Sequence, residues 1–392
     1  MTTIGISGSY GGLNLGDEAI LASTTALFRA AIPDVEIVAF SRNAEHTRLH
    51  QDVDRTLCPR TALREEITPE IERLDILLLG GGGILYDAEA KTYLREIMIA
   101  QACGVPTFAF AIGIGPLDGL EEQRAVRDGL NMMAGVTVRE LSAKRLLEEI
   151  GVKCPVVVTG DPALLLTPEP FTDDMLRLAG IPDGATLVGM SVRERGPAAP
   201  ELGESEYHRL IAEAADFIVR RFDARVVFVP MERADLREAH TVIARMAAPD
   251  RAYILQGDYG PRQILGLMEH FSLAVGMRLH FLIFAARCGV PLMAMPYSPK
   301  VSDFLDALGV VDQSMIGEAH AGSVLADIDR LWDHREEQQR LVADRMPEIQ
   351  EMAGRTVPLV AEVIRQGRPV AEAALMARAA NGGEIAGAAT ST

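Results

Sequence analysis

The sequence predicts an α/β protein made of two doubly wound parallel sheets in succession, closed by C-terminal helices. Three observations predict it. At 392 residues the chain exceeds one ordinary core and suits two of roughly 150 to 200 residues. Short β-rich runs alternate with amphipathic helical stretches through the first half, the pattern of a parallel sheet covered by helices. A second such series begins at Ala185, after a stretch rich in Pro, Asp and Gly at 167–184 (TPEPFTDDMLRLAGIPDG). The expected division is therefore a first Rossmann-like domain at 1–170, a second at 171–366 that includes the terminal helices, and a flexible tail at 367–392.

In chain order, the first series offers strands at 3–7, 35–40, 76–79, 107–112, 135–138 and 156–158. Most are followed at once by Gly, Asp or Ser, and the carboxyl ends of parallel strands are where open α/β sheets hold their ligands. The second series runs ATLVGMSVRE, ARVVFVPM, AYILQGD, LAVGMRLH and PLMAMPYS, each followed by a helical stretch. After about Asp312 a charged amphipathic periodicity takes over, expected to pack across the second domain or back onto the first.

Composition narrows the function. With 48% apolar residues there is ample material for two cores. A formal charge of −17 argues against nucleic acid or anionic lipid held by bulk attraction, so an anionic ligand must be captured locally, by glycine turns and particular Arg or Lys side chains. Cys58, Cys103, Cys154 and Cys288 are scattered without metal or redox spacing, and no metal site is expected. The N-terminus MTTIGISGSYGG has neither basic nor apolar leader character, and no apolar run reaches about 18 residues, so a cytoplasmic location is expected.

Four segments carry chemistry. GSYGGLNLGDEAIL, residues 8–21, is a glycine turn between strand and helix, with Asp17 expected to cap the helix; bare N–H groups there can face a phosphate or carboxylate. Gly11, Gly12, Asn14 and Asp17 are its candidate binding residues, and a tight structural turn is the competing reading. LDILLLGGGGILYD places four glycines after an apolar strand, at roughly 0.5 to 1 kcal/mol each relative to Ala. Gly81, Gly82 and Gly83 are the candidates for close approach to a ligand, against close helix packing. Arg139, Arg193 and Arg278 each stand where a strand emerges, a place that suits bidentate capture of anions and also ordinary ion pairing. Finally, His280 opens a helix and Lys300 follows 20 residues later, one helix and one strand on, which brings both to the same rim.

Taken together, GSYGGLNLGDEAI, the GGGG run, AIGIGP, VREL, GDPALLL, SVRE and MRLH with its later Lys resemble the polysaccharide pyruvyl transferase family over about residues 4–310. The resemblance implies a fold similar to GT-B glycosyltransferases and transfer of pyruvate from phosphoenolpyruvate, as a ketal, to a sugar of a cell-wall, capsular or exopolysaccharide glycan. It implies catalytic roles for Arg139, Arg278, His280 and Lys300, converging in one crevice between the lobes, with His280 moving protons and the cations holding carboxylate and phosphate. Arg193 matches less closely. No cofactor is implied beyond the donor substrate. The implied partner is a glycan or activated-sugar acceptor, reached peripherally at the membrane where it is lipid-linked; the charged faces of the last helices leave open a contact with a second copy of the chain, against simple solvation. Two other readings fit the same layout: a GT-B glycosyltransferase or sugar-nucleotide epimerase, and a silent binding protein on the same fold.

Overall fold

The computed structural model describes residues 1–12, 14–195, 202–295, 299–310 and 321–367. The expected tail, from 368 onward, lies outside the described residues. Eight parallel strands form the first sheet: β1 (Thr3–Ser7), β2 (Glu36–Phe40), β3 (Arg55–Leu57), β4 (Ile76–Leu79), β5 (Gly82–Leu85), β6 (Thr107–Ile114), β7 (Gly135–Val138) and β8 (Val156–Val158). Its helices are α1 (Leu15–Ala31), α2 (Ala44–His50), α3 (Arg64–Glu72), α4 (Ala90–Ala102), α5 (Leu120–Asn131) and α6 (Leu141–Glu149), with α7 (Asp173–Leu178) in the connection. The second sheet has five strands: β9 (Leu187–Ser191), β10 (Arg225–Phe228), β11 (Ala252–Ile254), β12 (Phe271–Gly276) and β13 (Leu292–Ala294). With and after it come α8 (Glu204–Phe222), α9 (Arg233–Ile243), α10 (Pro261–Met268), α11 (Leu279–Arg287), α12 (Pro299–Leu308), α13 (Ala321–Asp333), α14 (Arg335–Gly354) and α15 (Thr356–Gln366).

Strand order is 3-2-1-4-6-7-8 in the first sheet, with β5 pairing β6 beside that path, and 11-10-9-12-13 in the second. Both are doubly wound, which is the α/β class expected. The central strands are apolar throughout because helices cover both faces; all four residues of β4, ILLL, are buried. Two strands escape the sequence pattern. β3 is a three-residue edge strand, and β5 begins inside the four-glycine run, so that run is half turn and half strand rather than a turn throughout.

The two halves share one hydrophobic cluster. Ala19 and Ile20 of α1 pack in one cluster with residues of α10, α11 and α14. The first backbone N–H of α1, on Leu15, donates to Met231 O across the cleft (2.8 Å). Near the end of the described chain α15 lies on the first sheet, with Val357 and Val360 buried among Ile4, Ile6, Phe108 and Phe110. The Thr356 hydroxyl there meets those of Thr159 (3.0 Å) and Thr137 (3.4 Å). Both packings the amphipathic pattern allowed occur: α13 lies on the second sheet, with Val324 and Ile328 among Val188, Val226 and Val275, and the chain returns to the first sheet only at α15. Val360→Ala is expected to cost roughly 1 to 3 kcal/mol of unfolding free energy in urea titration; a loss near zero would mean α15 does not seal the first sheet.

Candidate active site between the two sheets

In an open parallel sheet the ligand crevice forms where strand order reverses. Reversal falls between β1 and β4 in the first sheet and between β9 and β12 in the second. The segments leaving those four strands are the two glycine motifs, Arg193, and Arg278 with His280.

The first reversal is occupied by the chain itself. Tyr10 is fully buried, and a Cβ placed on Gly8 would lie 2.7 Å from its ring, while one on Gly80 would lie 2.0 Å from its hydroxyl. A Cβ on Gly81 would meet Ile20 at 2.8 Å, and one on Gly82, where φ is +103°, would meet Asp17 Oδ1 at 2.8 Å. Three of the four glycines are thus bare because the preceding turn and α1 press on them. Gly83 is different. It is exposed, and a Cβ there would stand 3.8 Å from Arg139 Nη2 and 4.0 Å from Lys300 Nζ, in the space where these two cations converge.

The glycine turn after β1 is likewise mostly spoken for. Gly11 has a φ of +69° and abuts Ser41 and Asn43, and its N–H donates to Glu18 Oε1 (2.7 Å). Gly12 is exposed beside Arg42. Asn14, not Asp17, caps α1: its Oδ1 accepts from Gly16 N (2.9 Å), and its Nδ2 reaches Glu232 of the second half (3.4 Å). Asp17 points inward under Gly82. Burial raises its carboxyl, with His280 and Arg139 pulling it partly back.

Arg139, Asp161 and His280 come together between the sheets. Arg139 donates through Nε to Glu140 (2.8 Å) and through Nη1 to Asp161 Oδ2 (2.7 Å), with its side chain 3% exposed. The same Asp161 oxygen stands 3.3 Å from His280 Nε2, while Oδ1 accepts from Ala163 N (2.9 Å). Asp161 was not singled out from sequence, although the GDPALLL motif contains it. Burial alone would raise its carboxyl, but His280 and Arg139 hold it well below the usual carboxylate range. For Glu140 burial wins over Arg139, and its carboxyl is raised.

His280 rests on Gly16. A Cβ at Gly16 would lie 1.9 Å from its Nδ1, so only glycine there admits the imidazole. Beside this cluster is a cavity of about 360 Å³ lined by Arg139, Asp161, Lys300, Asp303, Phe304 and Leu279 among others. Asp303 of α12 also accepts from Ser142 N of α6 (2.9 Å), tying the two halves on this side.

Arg278 and Arg193 have other surroundings. Arg278 donates through Nε to Asp235 (3.1 Å) and through Nη2 to Glu232, both in the second half. Burial raises the Asp235 carboxyl, with Arg278 opposing. Arg193 bonds Glu194 (2.9 Å), and its carbonyl accepts from the Tyr207 hydroxyl. The structure therefore groups Arg139, His280 and Lys300 around Asp161 and Gly83, and holds Arg278, two residues before His280, on carboxylates of its own sheet. Among the described residues no group of three or more His, Cys, Asp or Glu is arranged to hold a metal ion. Among the same residues no helix is long and apolar enough to cross a membrane. The four cysteines are half-buried, and burial pushes Cys288 up to about 12.

Two Rossmann-like halves meeting over such a cluster define a GT-B-like enzyme. The likeness extends to solved structures: a putative UDP-N-acetylglucosamine 2-epimerase from Listeria monocytogenes, with a TM-score of 0.62 and 14% identity, covers 90% of this chain and 94% of its own. ADP-heptose LPS heptosyltransferase II from E. coli, with a TM-score of 0.51 and 15% identity, covers 86% and 100%. At these identities the likeness concerns the fold. The chain belongs to the polysaccharide pyruvyl transferase family, whose sequence model matches residues 14–299, well over half of it. A relative, the amylovoran biosynthesis protein AmsJ of Erwinia amylovora, is 20% identical over 292 residues, 71% of this chain and 70% of its own.

Because the Asp161 carboxyl is depressed in the folded chain, the stability it contributes is complete above its unfolded-state pKa of about 4 and is lost as pH falls toward the lower folded value. The difference in unfolding free energy between the wild type and Asp161→Asn is expected to be full-sized near pH 6 and to shrink steadily below about pH 4. A difference that stays constant into acid would show that Asp161 is not held ionised by its neighbours.

Proposed function

We propose that this enzyme transfers the pyruvyl group of phosphoenolpyruvate to two hydroxyls of one sugar in a surface or exopolysaccharide glycan, forming a ketal and releasing phosphate. The observation that carries the reading is the convergence of Arg139 Nη2 and Lys300 Nζ over the bare Gly83, with His280 fixed by Asp161 a short way off. Two cations suit a donor with two anionic groups, one carboxylate and one phosphate.

The chemistry follows from balance. A proton added to the methylene carbon of phosphoenolpyruvate leaves C2 electron-poor. A sugar hydroxyl bonds to C2 and gives up its proton. The C2–O bond to phosphate then breaks, and a second hydroxyl adds with loss of another proton to close the ring. Each step moves a proton at neutral pH, which suits imidazole, whose ordinary pKa is about 6.5. Nε2 stands 3.3 Å from Asp161 Oδ2, and Nδ1 is packed against Gly16. Lys300 and Arg139 stabilise the departing phosphate.

Thermal unfolding tests the donor. Phosphoenolpyruvate is expected to raise Tm, and UDP-N-acetylglucosamine to leave it unchanged, because a ligand stabilises only the folded state that binds it; the reverse result would favour a nucleotide-sugar enzyme. His280→Ala is expected to keep its fold by circular dichroism and to lower turnover, read as phosphate release with acceptor, by about 100-fold or more. Wild-type turnover in that variant would remove His280 from the chemistry.

A further inference from the structure

A second, larger cavity lies apart from the Arg139 cluster. It has a volume of about 570 Å³ and runs between α2 of the first half and the loops after β10 and β11 of the second. Its inner end is formed by Leu15 and Glu18 of α1 and by Glu232, whose carboxylate binds Arg278. Leu15 adjoins Gly16, on which His280 rests, so the groove reaches the opposite face of the α1 N-terminus from the catalytic cluster.

The lining of this groove is built rather than incidental. On its floor Gln51, 9% exposed, donates its amide to Glu18 Oε2 (2.7 Å), while its Oε1 has no partner although buried. His46 Nδ1 is likewise buried without a partner, and the His46 ring stacks on that of His50 at 4.2 Å. A native protein leaves few buried polar atoms unpaired, and two on residues that line one groove point to a hydrogen-bonding ligand. On the second half Tyr259 is held on one side by Phe171, 5.1 Å away between ring centroids. Gly257 also meets the ring, since a Cβ there would lie 2.6 Å from it. An aromatic ring fixed in this way is a ready surface for an apolar ligand face.

The charge of the groove selects the ligand. Glu18, Glu169, Glu232 and Asp258 line it, and Arg233 is the one guanidinium among its lining residues. Arg278, Arg262 and His50 pair Glu232, Glu169 and Asp258, so the carboxylates are held as acceptors; with Arg233 alone added to the lining, a diphosphate or a uronic acid is poorly matched there, whereas neutral hydroxyls find those acceptors and an aromatic ring. We infer that this groove binds uncharged sugar residues of the acceptor glycan, across the α1 N-terminus from the ring that receives the pyruvyl group. The inference rests on the pyruvyl-transfer reading for the word acceptor, but its binding test does not.

The test is isothermal titration of the full chain with neutral galacto-, gluco- and mannotetraose, with UDP and inorganic phosphate as charged controls. At least one tetraose is expected to bind, and Tyr259→Ala and Gln51→Leu are each expected to weaken it at least tenfold while the Tm rise with phosphoenolpyruvate stays as in the wild type. Should either change lower the melting temperature by more than a few degrees, Asp258→Asn, at an exposed loop position, takes its place with the same expectation. The inference is overturned if no tetraose binds, if the substitutions leave tetraose binding intact, or if UDP is the ligand they weaken. Loss of the phosphoenolpyruvate effect in the wild type would instead overturn the donor reading and leave the groove result standing.

Discussion

The Asp161 carboxylate is the point on which the two halves of this enzyme agree. It follows β8 at one end of the first sheet, yet its Oδ2 is shared between Arg139 of that sheet and His280 of the second. Removing a carboxylate from water is costly, and a buried ion pair seldom adds net stability over apolar packing. What it adds is geometry. Once desolvated, the group must keep its partners, so the imidazole is held at one place relative to the guanidinium, and the sheets at one separation. The bonds from Leu15 N to Met231 O and from Ser142 N to Asp303 brace the same arrangement on either side.

Around that carboxylate the electrostatics are divided. Asp161 is depressed, whereas Asp17, Glu140 and Asp235 are all raised by burial. Neighbouring acids pushed in opposite directions are a recurrent arrangement where charge must be rearranged during a reaction. The charge of −17 makes such local control necessary, since the overall field repels an anionic donor. Arg139 and Arg278 are each compensated by carboxylates of the protein, so the cluster is close to balanced without ligand, and Lys300 at the start of α12 brings its charge to the open side at Gly83.

Features carried by local periodicity were legible in the sequence. β1, β4, β7 and β8 fall where alternating or continuous apolar runs place them, and all five strands of the second series are present. What escaped depends on contacts between distant residues. β3 and β5 are too short, or too glycine-rich, to show a period. The four glycines after β4 suggested a ligand, but Gly80, Gly81 and Gly82 are required by Tyr10, Ile20 and Asp17, some 60 to 70 residues earlier in the chain. The counter-ions of Arg278, Asp235 and Glu232, sit 43 and 46 residues away and follow no spacing rule. Asp161 lay inside a recognised motif, and only its distance to His280 distinguishes it from an ordinary acidic cap.

The N-terminus of α1 explains why the glycine motif that precedes it is dense. This short stretch caps its helix with Asn14, donates Leu15 N to the second half, yields space at Gly16 for His280, and sends Asp17 beneath Gly82. It is also the wall between the two cavities, with Gly16 under the imidazole and Leu15 and Glu18 lining the groove. A side chain at Gly16 would need the volume that His280 fills, and moving the helix to make room would break the Leu15 tie to Met231. One helix terminus thus couples the closure of the halves to the position of the imidazole, and a change at any of these four residues is felt at the other three.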